Sequence, residues 1–317
     1  MTTPQSAITV TGLRKAYGDK VVLDGIDLEV AAGTIFSLLG PNGAGKTTAV
    51  EILATLIKAD AGDIRVAGKD VVRDPDGVRG AISVTGQFAS VDNLLTGREN
   101  LIMMADLHHL GRREGRRRAD ELLEQFDLVD ARSQRALSYS GGMRRRLDLA
   151  MTLVRRPSVI FLDEPTTGLD PRSRHAMWGV IRNLVADGVT IFLTTQYLEE
   201  ADQLADLIAV LDQGRLVAQG TAAELKRRVP GSYVRLEFGE QHQLDMALGV
   251  LGEARRDADA LALQVPNDGS IGALRALLER LDEHAVDVAE LTVHTPDLDD
   301  VFLALTTPPR RQKETVL

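Results

Sequence analysis

The chain has 317 residues, of which 44% are apolar and 26% are charged, and its formal net charge is −9. This length suits one large domain with a smaller one, and the apolar content excludes wholesale disorder. Because the chain has no cysteine, disulfide scaffolds and thiolate chemistry are excluded, and a reducing cytoplasm is the simplest home. The acidic balance argues against general nucleic-acid binding. No run reaches about 18 consecutive apolar residues, so we expect no membrane-spanning segment.

Antiparallel strands are predicted at the start of the chain, and a parallel sheet after them. Residues Ala7–Leu13 and Val22–Val30 alternate apolar and polar side chains, which is typical of strands with one wet face. Short apolar runs follow at Thr34–Leu39, Ser158–Leu162 and Val189–Thr194, with amphipathic helices between them. Alternation of strands and helices predicts an α/β fold with a mainly parallel sheet covered by helices.

The rest of the chain is predicted to form smaller parts. A charged, Leu-rich helical subdomain is expected over about residues 97–155. Pro230-Gly231 is typical of a domain boundary, so residues 6–228 form the main predicted domain. Residues 231–305 match a small βαββαβ-like α+β module, and residues 306–317 are predicted to be a flexible tail.

A glycine-rich loop is the first motif that carries chemistry. Residues 40–47, GPNGAGKT, match GxxxxGK[ST] between a predicted strand and a predicted helix. Such a loop wraps a phosphate with backbone N–H groups, and the helix N-terminus adds positive potential. Lys46 would neutralise the β- and γ-phosphates, and the Thr47 hydroxyl would ligate Mg²⁺. The predicted nucleotide-binding residues of this loop are Gly40, Pro41, Asn42, Gly43, Ala44, Gly45, Lys46, Thr47 and Thr48.

Two acidic residues, Asp163 and Glu164, end the apolar run VIFL. Ligands of open α/β sheets bind at the carboxyl ends of strands, so we expect both acids beside the nucleotide. Asp163 suits a Mg²⁺ role, and Glu164 suits orienting and deprotonating an attacking water. Adjacent acids at a strand end are also common without any catalytic role. The upstream phosphate loop is the observation that favours catalysis.

The run Ser140-Gly141-Gly142-Met143 precedes a basic amphipathic helix. Ser140 is a good N-cap, and the two glycines leave N–H groups open at a helix N-terminus, which attracts phosphate. An isolated run of this kind is often no more than a capped helix. Because the chain already holds one phosphate loop, a nucleotide shared between two copies best explains a second phosphate-seeking helix end.

Together these motifs resemble the ATP-binding-cassette (ABC) ATPases over about residues 6–225. The family signature is LSGGQ, where residues 139–143 of this chain are YSGGM. The resemblance implies a P-loop ATPase fold, ATP and Mg²⁺ as cofactors, and two cassettes packed head to tail, each signature closing on the other's ATP. It also implies further roles: adenine stacking for Tyr17, a Mg²⁺ contact for Gln87, and a crossing to the opposite cassette for Asp170.

One position departs from the family pattern. A histidine usually follows the strand that here ends in Thr194-Thr195, and this chain has Gln196 instead. Glutamine donates an amide N–H to a γ-phosphate, but it neither becomes cationic nor shuttles a proton. We therefore expect ATP binding. Two hypotheses stay open. In one, the protein hydrolyses ATP with Gln196 as a catalytic residue, and in the other it is an ATP-dependent dimerisation switch with little hydrolysis.

Gln196, residues 84–92 (VTGQFASVD) and residues 296–303 (PDLDDVFL) resemble the daunorubicin-resistance subfamily of bacterial drug-efflux ATPases. This implies the ATP-hydrolysing subunit of an exporter for an antibiotic or another hydrophobic compound, peripheral to the cytoplasmic face of the cell membrane. The implied partners are a second copy or paired cassette and a separate polytopic permease, with no nucleic acid. The alternative is a soluble ABC ATPase acting on ribosomes or DNA, for which the chain lacks a second cassette, coiled-coil heptads and cysteines. The C-terminal module is predicted to stabilise or regulate the dimer.

Overall fold

The structure is a computed structural model that describes residues 6–86, 90–228, 232–257, 260–267, 270–294 and 296–306. The chain divides into two compact units, Met1–Ala222 and Ala223–Leu317. The expected boundary at Pro230-Gly231 lies outside the described residues, so the predicted domain limits stay predictions. Of the expected tail, only Thr306 is described, as the last residue of a helix, and the flexible tail stays a prediction.

Two sheets form the framework of the first unit. One consists of β1 (Ser6–Tyr17), β2 (Lys20–Ala31), β4 (Ala61–Val66) and β5 (Lys69–Asp70), in the order β2-β1-β4-β5, and it is antiparallel. The other consists of β3 (Ile35–Leu39), β6 (Ile82–Thr85), β7 (Val159–Asp163), β8 (Thr190–Thr195), β9 (Leu207–Asp212) and β10 (Arg215–Gly220). Its order is β10-β9-β3-β8-β7-β6, and every pairing except β10 with β9 is parallel.

The central strands form where the apolar runs predict them. β3, β7 and β8 each agree with the expected ranges to within one residue at either end. Every residue of these three strands is buried, as expected for parallel strands covered on both faces. Their carboxyl ends meet at one edge of the sheet, where the glycine-rich loop and the two acids follow.

Helices cover the parallel sheet and build the helical part of the first unit. They are α1 (Lys46–Leu53), α2 (Pro75–Ala81), α3 (Gly97–Leu107), α4 (Arg112–Gln125), α5 (Gly141–Thr152), α6 (Pro171–Ala186) and α7 (Leu198–Leu204). A capping box between Thr96 and Glu99 begins α3. Buried Leu101, Leu122 and Leu147 join α3, α4 and α5 in one apolar cluster.

The second unit is a small α+β fold. After α8 (Ala222–Arg227), which begins at the division, come β11 (Tyr233–Glu237), α9 (Gln241–Leu251), β12 (Arg255–Arg256), β13 (Ala262–Pro266), α10 (Ile271–Glu283), β14 (Glu290–His294) and α11 (Leu298–Thr306). The antiparallel sheet has the order β12-β13-β11-β14. Its core joins Val234 and Leu236 of β11 to Leu244 of α9 and Leu277 of α10. In neither unit does a described helix combine the length and apolar character needed to cross a bilayer.

Candidate active site

A cleft of about 510 Å³ opens where the carboxyl ends of the parallel strands meet. Its lining residues lie at or just after the carboxyl ends of three strands of the parallel sheet, and two more belong to β2. Its lining consists of Asn42, Gly43, Gly45, Lys46, Thr47 and Thr48 from the glycine-rich loop and α1, Asp163 at the end of β7, Glu164 and Thr167 after it, Gln196 after β8, and Lys20 and Val22. The predicted phosphate loop, the predicted acids and Gln196 therefore meet in one place.

The shape of the loop requires glycine at two positions. Gly45 has φ +111°, a backbone conformation that L side chains rarely adopt, and an added Cβ would lie 2.8 Å from Leu23 Cδ2. At Gly40 an added Cβ would lie 2.3 Å from the carbonyl oxygen of Leu211. Gly45 directly precedes α1, and the first residues of that helix, Lys46, Thr47 and Thr48, line the cleft. The first N–H groups of a helix have no partner within it and attract phosphate.

Lys46 brings a buried positive charge to the cleft. Its Nζ donates to the carbonyl oxygens of Gly40 at 2.7 Å and Pro41 at 3.2 Å. It also lies 3.9 Å from Glu164 Oε1, and its side chain is only 5% exposed. Burial lowers the pKa of Lys46, and the negative charges of Glu164 and Asp163 oppose this shift.

Residues of β8 contact both acids, Asp163 at the end of β7 and Glu164 directly after it. One oxygen of Asp163 accepts from Thr47 Oγ1 at 3.2 Å, and the other accepts from the Thr194 hydroxyl. The Glu164 N–H donates to the carbonyl oxygen of Thr194 at 3.0 Å, and its carboxylate accepts from Thr167 Oγ1 at 3.1 Å. Glu164 has φ +47°, a strained conformation for a residue with a side chain, and such strain concentrates at functional sites.

Tyr17 and Gln87 are the two remaining residues that are predicted to contact the nucleotide or its Mg²⁺. Tyr17 is the last residue of β1 and 51% exposed, and the Lys15 ammonium lies 5.3 Å from its ring centroid. It is not among the residues that line the cleft, so adenine stacking by Tyr17 stays a prediction. Gln87 lies outside the described residues.

The signature run and Asp170 are helix caps. Ser140 Oγ accepts from the Met143 N–H at 3.2 Å and begins α5. Asp170 accepts from the Ser173 N–H at 3.0 Å and begins α6. An added Cβ on Gly142 would lie 2.8 Å from Ser173 Oγ, so the two caps are close together. Neither the run from Ser140 through Gly141 to Met143 nor Asp170 lines the described cleft.

Three buried residues that contact the site or its neighbours without lining the cleft belong to no motif, and the sequence does not predict their roles. Thr194 bridges Asp163 and Glu164 from β8. Arg145 of α5 and Glu200 of α7 are charged side chains that the fold buries. Only the tertiary structure identifies their partners, because each contacts residues far away in the chain. A charged residue inside an amphipathic helix is the weak signal that the sequence offers.

Glu200 connects the segment after Glu164 to two helices. Its Oε1 accepts from Thr166 Oγ1 at 2.8 Å and from Trp178 Nε1 at 3.2 Å, and all three side chains are buried. Burial raises the pKa of Glu200, and Arg174 and the hydrogen-bond donors oppose this shift. The ionised carboxylate therefore carries a desolvation cost in the folded protein.

This cost predicts a pH-dependent gain of stability for Glu200→Gln. Because the folded-state pKa of Glu200 is raised, the protonated carboxyl favours the folded state. This contribution to the free energy of unfolding is lost as pH rises from the usual glutamate pKa through the folded-state pKa. We expect the variant to be more stable than the parent at neutral pH, with the difference shrinking toward pH 4. Urea unfolding at a series of pH values measures it. Glu199→Gln, which changes an exposed neighbour, is the control, and an equal response of both variants would contradict the assignment.

Comparisons with known proteins agree with this geometry. The sequence model of the ABC transporter family matches residues 23–167. The chain is 51% identical to the daunorubicin resistance ATP-binding protein DrrA3 of Streptomyces coeruleorubidus, over 98% of each chain. It is 48% identical to the daunorubicin/doxorubicin resistance ATP-binding protein DrrA of Streptomyces peucetius, over 99% of this chain and 96% of that one.

A solved structure supports the same fold. The structure of cbiO1 from Clostridium perfringens, part of the ABC transporter complex cbiONQ, aligns with a TM-score of 0.65 at 25% identity. The alignment covers 71% of this chain and 94% of that chain. The expected ABC ATPase fold is therefore confirmed. The chain belongs to the ATP-binding proteins of ABC transporters and is an ATPase of that family.

Proposed function

We propose that this ATPase powers a bacterial exporter of an antibiotic or another hydrophobic compound, together with a separate membrane-spanning permease. The observation that carries the ATPase half is the convergence of Lys46, Thr47, Asp163 and Glu164 in one cleft. The export half is supported by full-length similarity to proteins named for daunorubicin and doxorubicin resistance. The proposed place of action is the cytoplasmic face of the cell membrane, because the permease would hold the subunit there.

The phosphate chain of ATP is proposed to lie against the glycine-rich loop. The N–H groups at the start of α1 and the Lys46 ammonium would supply positive charge, since Lys46, Thr47 and Thr48 line the cleft. Binding of a phosphate by Lys46 would replace its hydrogen bonds to the carbonyl oxygens of Gly40 and Pro41. An anionic ligand would also offset the desolvation of the buried ammonium.

Magnesium fits the oxygen donors of this cleft. Thr47 Oγ1 and Asp163 Oδ2 lie 3.2 Å apart, and Mg²⁺ binds hard oxygen ligands from one or two protein groups together with substrate phosphates. When bound, the ion would neutralise charge on the phosphate oxygens. Gln87 is the third proposed ligand.

Glu164 is the proposed general base for hydrolysis. Its carboxylate would orient a water molecule and accept its proton, and its contact with Thr167 Oγ1 leaves Oε1 facing Lys46. Gln196 would donate its amide N–H to the γ-phosphate, without taking part in proton transfer. This arrangement relies on positioning and charge stabilisation, as phosphoryl transfer generally does.

A second copy is proposed to complete the site. Ser140, Gly141 and Met143 begin a helix whose N-terminus attracts phosphate, yet they do not line the cleft of their own chain. In a head-to-tail homodimer they would meet the nucleotide of the partner. Asp170, at the start of α6 near the signature, would then lie at the same interface.

Replacing Glu164 by Gln tests the proposed base. Gln has nearly the same size but accepts no proton, so we expect single-turnover hydrolysis to fall by at least about a hundredfold with ATP still bound. The variant should also accumulate as an ATP-bound dimer in size-exclusion chromatography. Hydrolysis by Glu164→Gln at the parental rate would remove Glu164 from this role.

Lys46→Ala should lose ATP binding, and Lys58→Ala, which changes an exposed lysine, should keep it.

Single-turnover hydrolysis and size-exclusion chromatography of the parent protein also separate the two hypotheses about Gln196. A parent protein that hydrolyses bound ATP supports the transport motor. A parent protein that dimerises with ATP but leaves it intact supports the dimerisation switch instead.

Thr194→Val tests whether β8 positions the acids. The change removes the hydroxyl that donates to Asp163 while keeping the size of the side chain. We expect hydrolysis to fall about tenfold, equivalent to about 1.4 kcal/mol, with ATP affinity within about threefold. The control is Thr190→Val at the other end of β8, where the hydroxyl accepts from the Gly33 N–H at 2.9 Å. Equal loss of hydrolysis in both variants would mean that the effect is a general destabilisation of the strand.

A further inference from the structure

Arg145 of α5 is a buried guanidinium that contacts the ends of two strands of the parallel sheet. It is 8% exposed. Its Nε donates to the carbonyl oxygen of Pro165 at 2.9 Å, and its Nη1 donates to that of Gly86 at 3.0 Å. Its Nη2 lies 3.4 Å from the carbonyl oxygen of Asp163. One side chain therefore joins α5 to the residue after β6 and to both sides of Glu164.

Asp148, one turn further along α5, completes the arrangement. Its Oδ2 lies 3.1 Å from Arg145 Nη1, and its Oδ1 accepts from the Ser90 N–H at 2.8 Å. Asp148 is 4% exposed. The pair thus contacts Gly86 and Ser90, the two residues that flank the segment containing Gln87.

A buried ion pair of this kind lowers the free energy of unfolding unless both charged groups make further hydrogen bonds. Removing both charges from water outweighs their attraction unless further hydrogen bonds satisfy them. Burial lowers the pKa of Arg145 and raises the pKa of Asp148, and the mutual attraction opposes both shifts. Three backbone carbonyls and one backbone N–H supply the further hydrogen bonds. Neither side chain lines the nucleotide cleft, so a direct contact with phosphate does not account for the pair.

We infer that Arg145 is a positioning residue that holds the carboxylate segment Asp163–Pro165 in a fixed relation to the signature end of α5. One guanidinium would then fix the start of α5, which Ser140 caps, relative to the end of β7 at Asp163. A planar guanidinium bonds several carbonyl groups in fixed directions, and a lysine ammonium in its place does not. The inference rests on the proposed role of Glu164, because only then does the position of this segment control hydrolysis.

Arg145→Lys is the test, with Arg146→Lys as the matched control. Arg146 is the next residue of the same helix and also bonds backbone carbonyls, those of Phe126 at 2.9 Å and Asp127 at 3.3 Å, but it contacts neither strand end. Both substitutions keep the positive charge, and both replace a guanidinium that donates to backbone carbonyl oxygens by an ammonium group. The full-length chain is compared in three measurements: affinity for a fluorescent ATP analogue, single-turnover hydrolysis of ATP, and backbone hydrogen–deuterium exchange.

For Arg145→Lys we expect hydrolysis to fall by about tenfold to a hundredfold, as displacement of a catalytic group does, with nucleotide affinity within about threefold. Amide exchange should become faster at Ser90 and over residues 164–169. For Arg146→Lys we expect hydrolysis within about twofold of the parent, with faster exchange over residues 126–131 instead. Asp148→Asn should change the same measurements as Arg145→Lys in the same direction, which keeps the test open if Arg145→Lys folds poorly.

Equal loss of hydrolysis in the two lysine variants, or unchanged exchange at residues 164–169 in both Arg145→Lys and Asp148→Asn, would overturn the inference. The proposed function fails separately. If Glu164→Gln hydrolyses ATP at the parental rate, the role of Glu164 is wrong, while the exchange measurement still decides whether Arg145 holds the segment.

Discussion

The parallel pairing of β8 with both β3 and β7 is the constraint on which the site depends. Leu39 of β3 lies opposite Thr195, and Asp163 of β7 lies opposite Thr194. The phosphate loop and the two acids, which are far apart in the chain, therefore leave the sheet at neighbouring points. A slip of one residue in either pairing would turn the side chains to the other face of the sheet and would separate Lys46 from Glu164.

Contacts within the protein fix the charges of the cleft. Lys46 is buried, and it lies 3.9 Å from a Glu164 carboxylate oxygen. Hydroxyl groups of Thr47 and Thr194 donate to Asp163. Because folding has already removed Lys46 from most of its water, a phosphate that binds there meets a charge that needs little further desolvation. Electrostatic preorganisation of this kind is generally the largest contribution to catalysis of charge-forming reactions.

The sequence predicts those parts of the site that depend on local pattern. A glycine-rich loop and an acidic pair each follow an apolar run, and the open α/β sheet then determines that they meet. The sequence does not predict Arg145, Asp148 or Glu200, because their roles depend on partners that only tertiary folding brings near.

Domain limits show the same difference between local pattern and long-range contact. From β11 to β14 the elements of the second unit have the βαββαβ order that the sequence predicts. The division of the chain after Ala222 reflects contacts across the fold, and Pro-Gly composition does not indicate that position.

This ATPase is proposed to drive a separate membrane permease. The most direct measurement is gentle detergent extraction of the tagged chain from its own cells, followed by mass spectrometry of the proteins that remain bound. We expect one polytopic membrane protein in about equal amount. Recovery of ribosomes or DNA-repair proteins, or of the chain without any membrane protein, would contradict it.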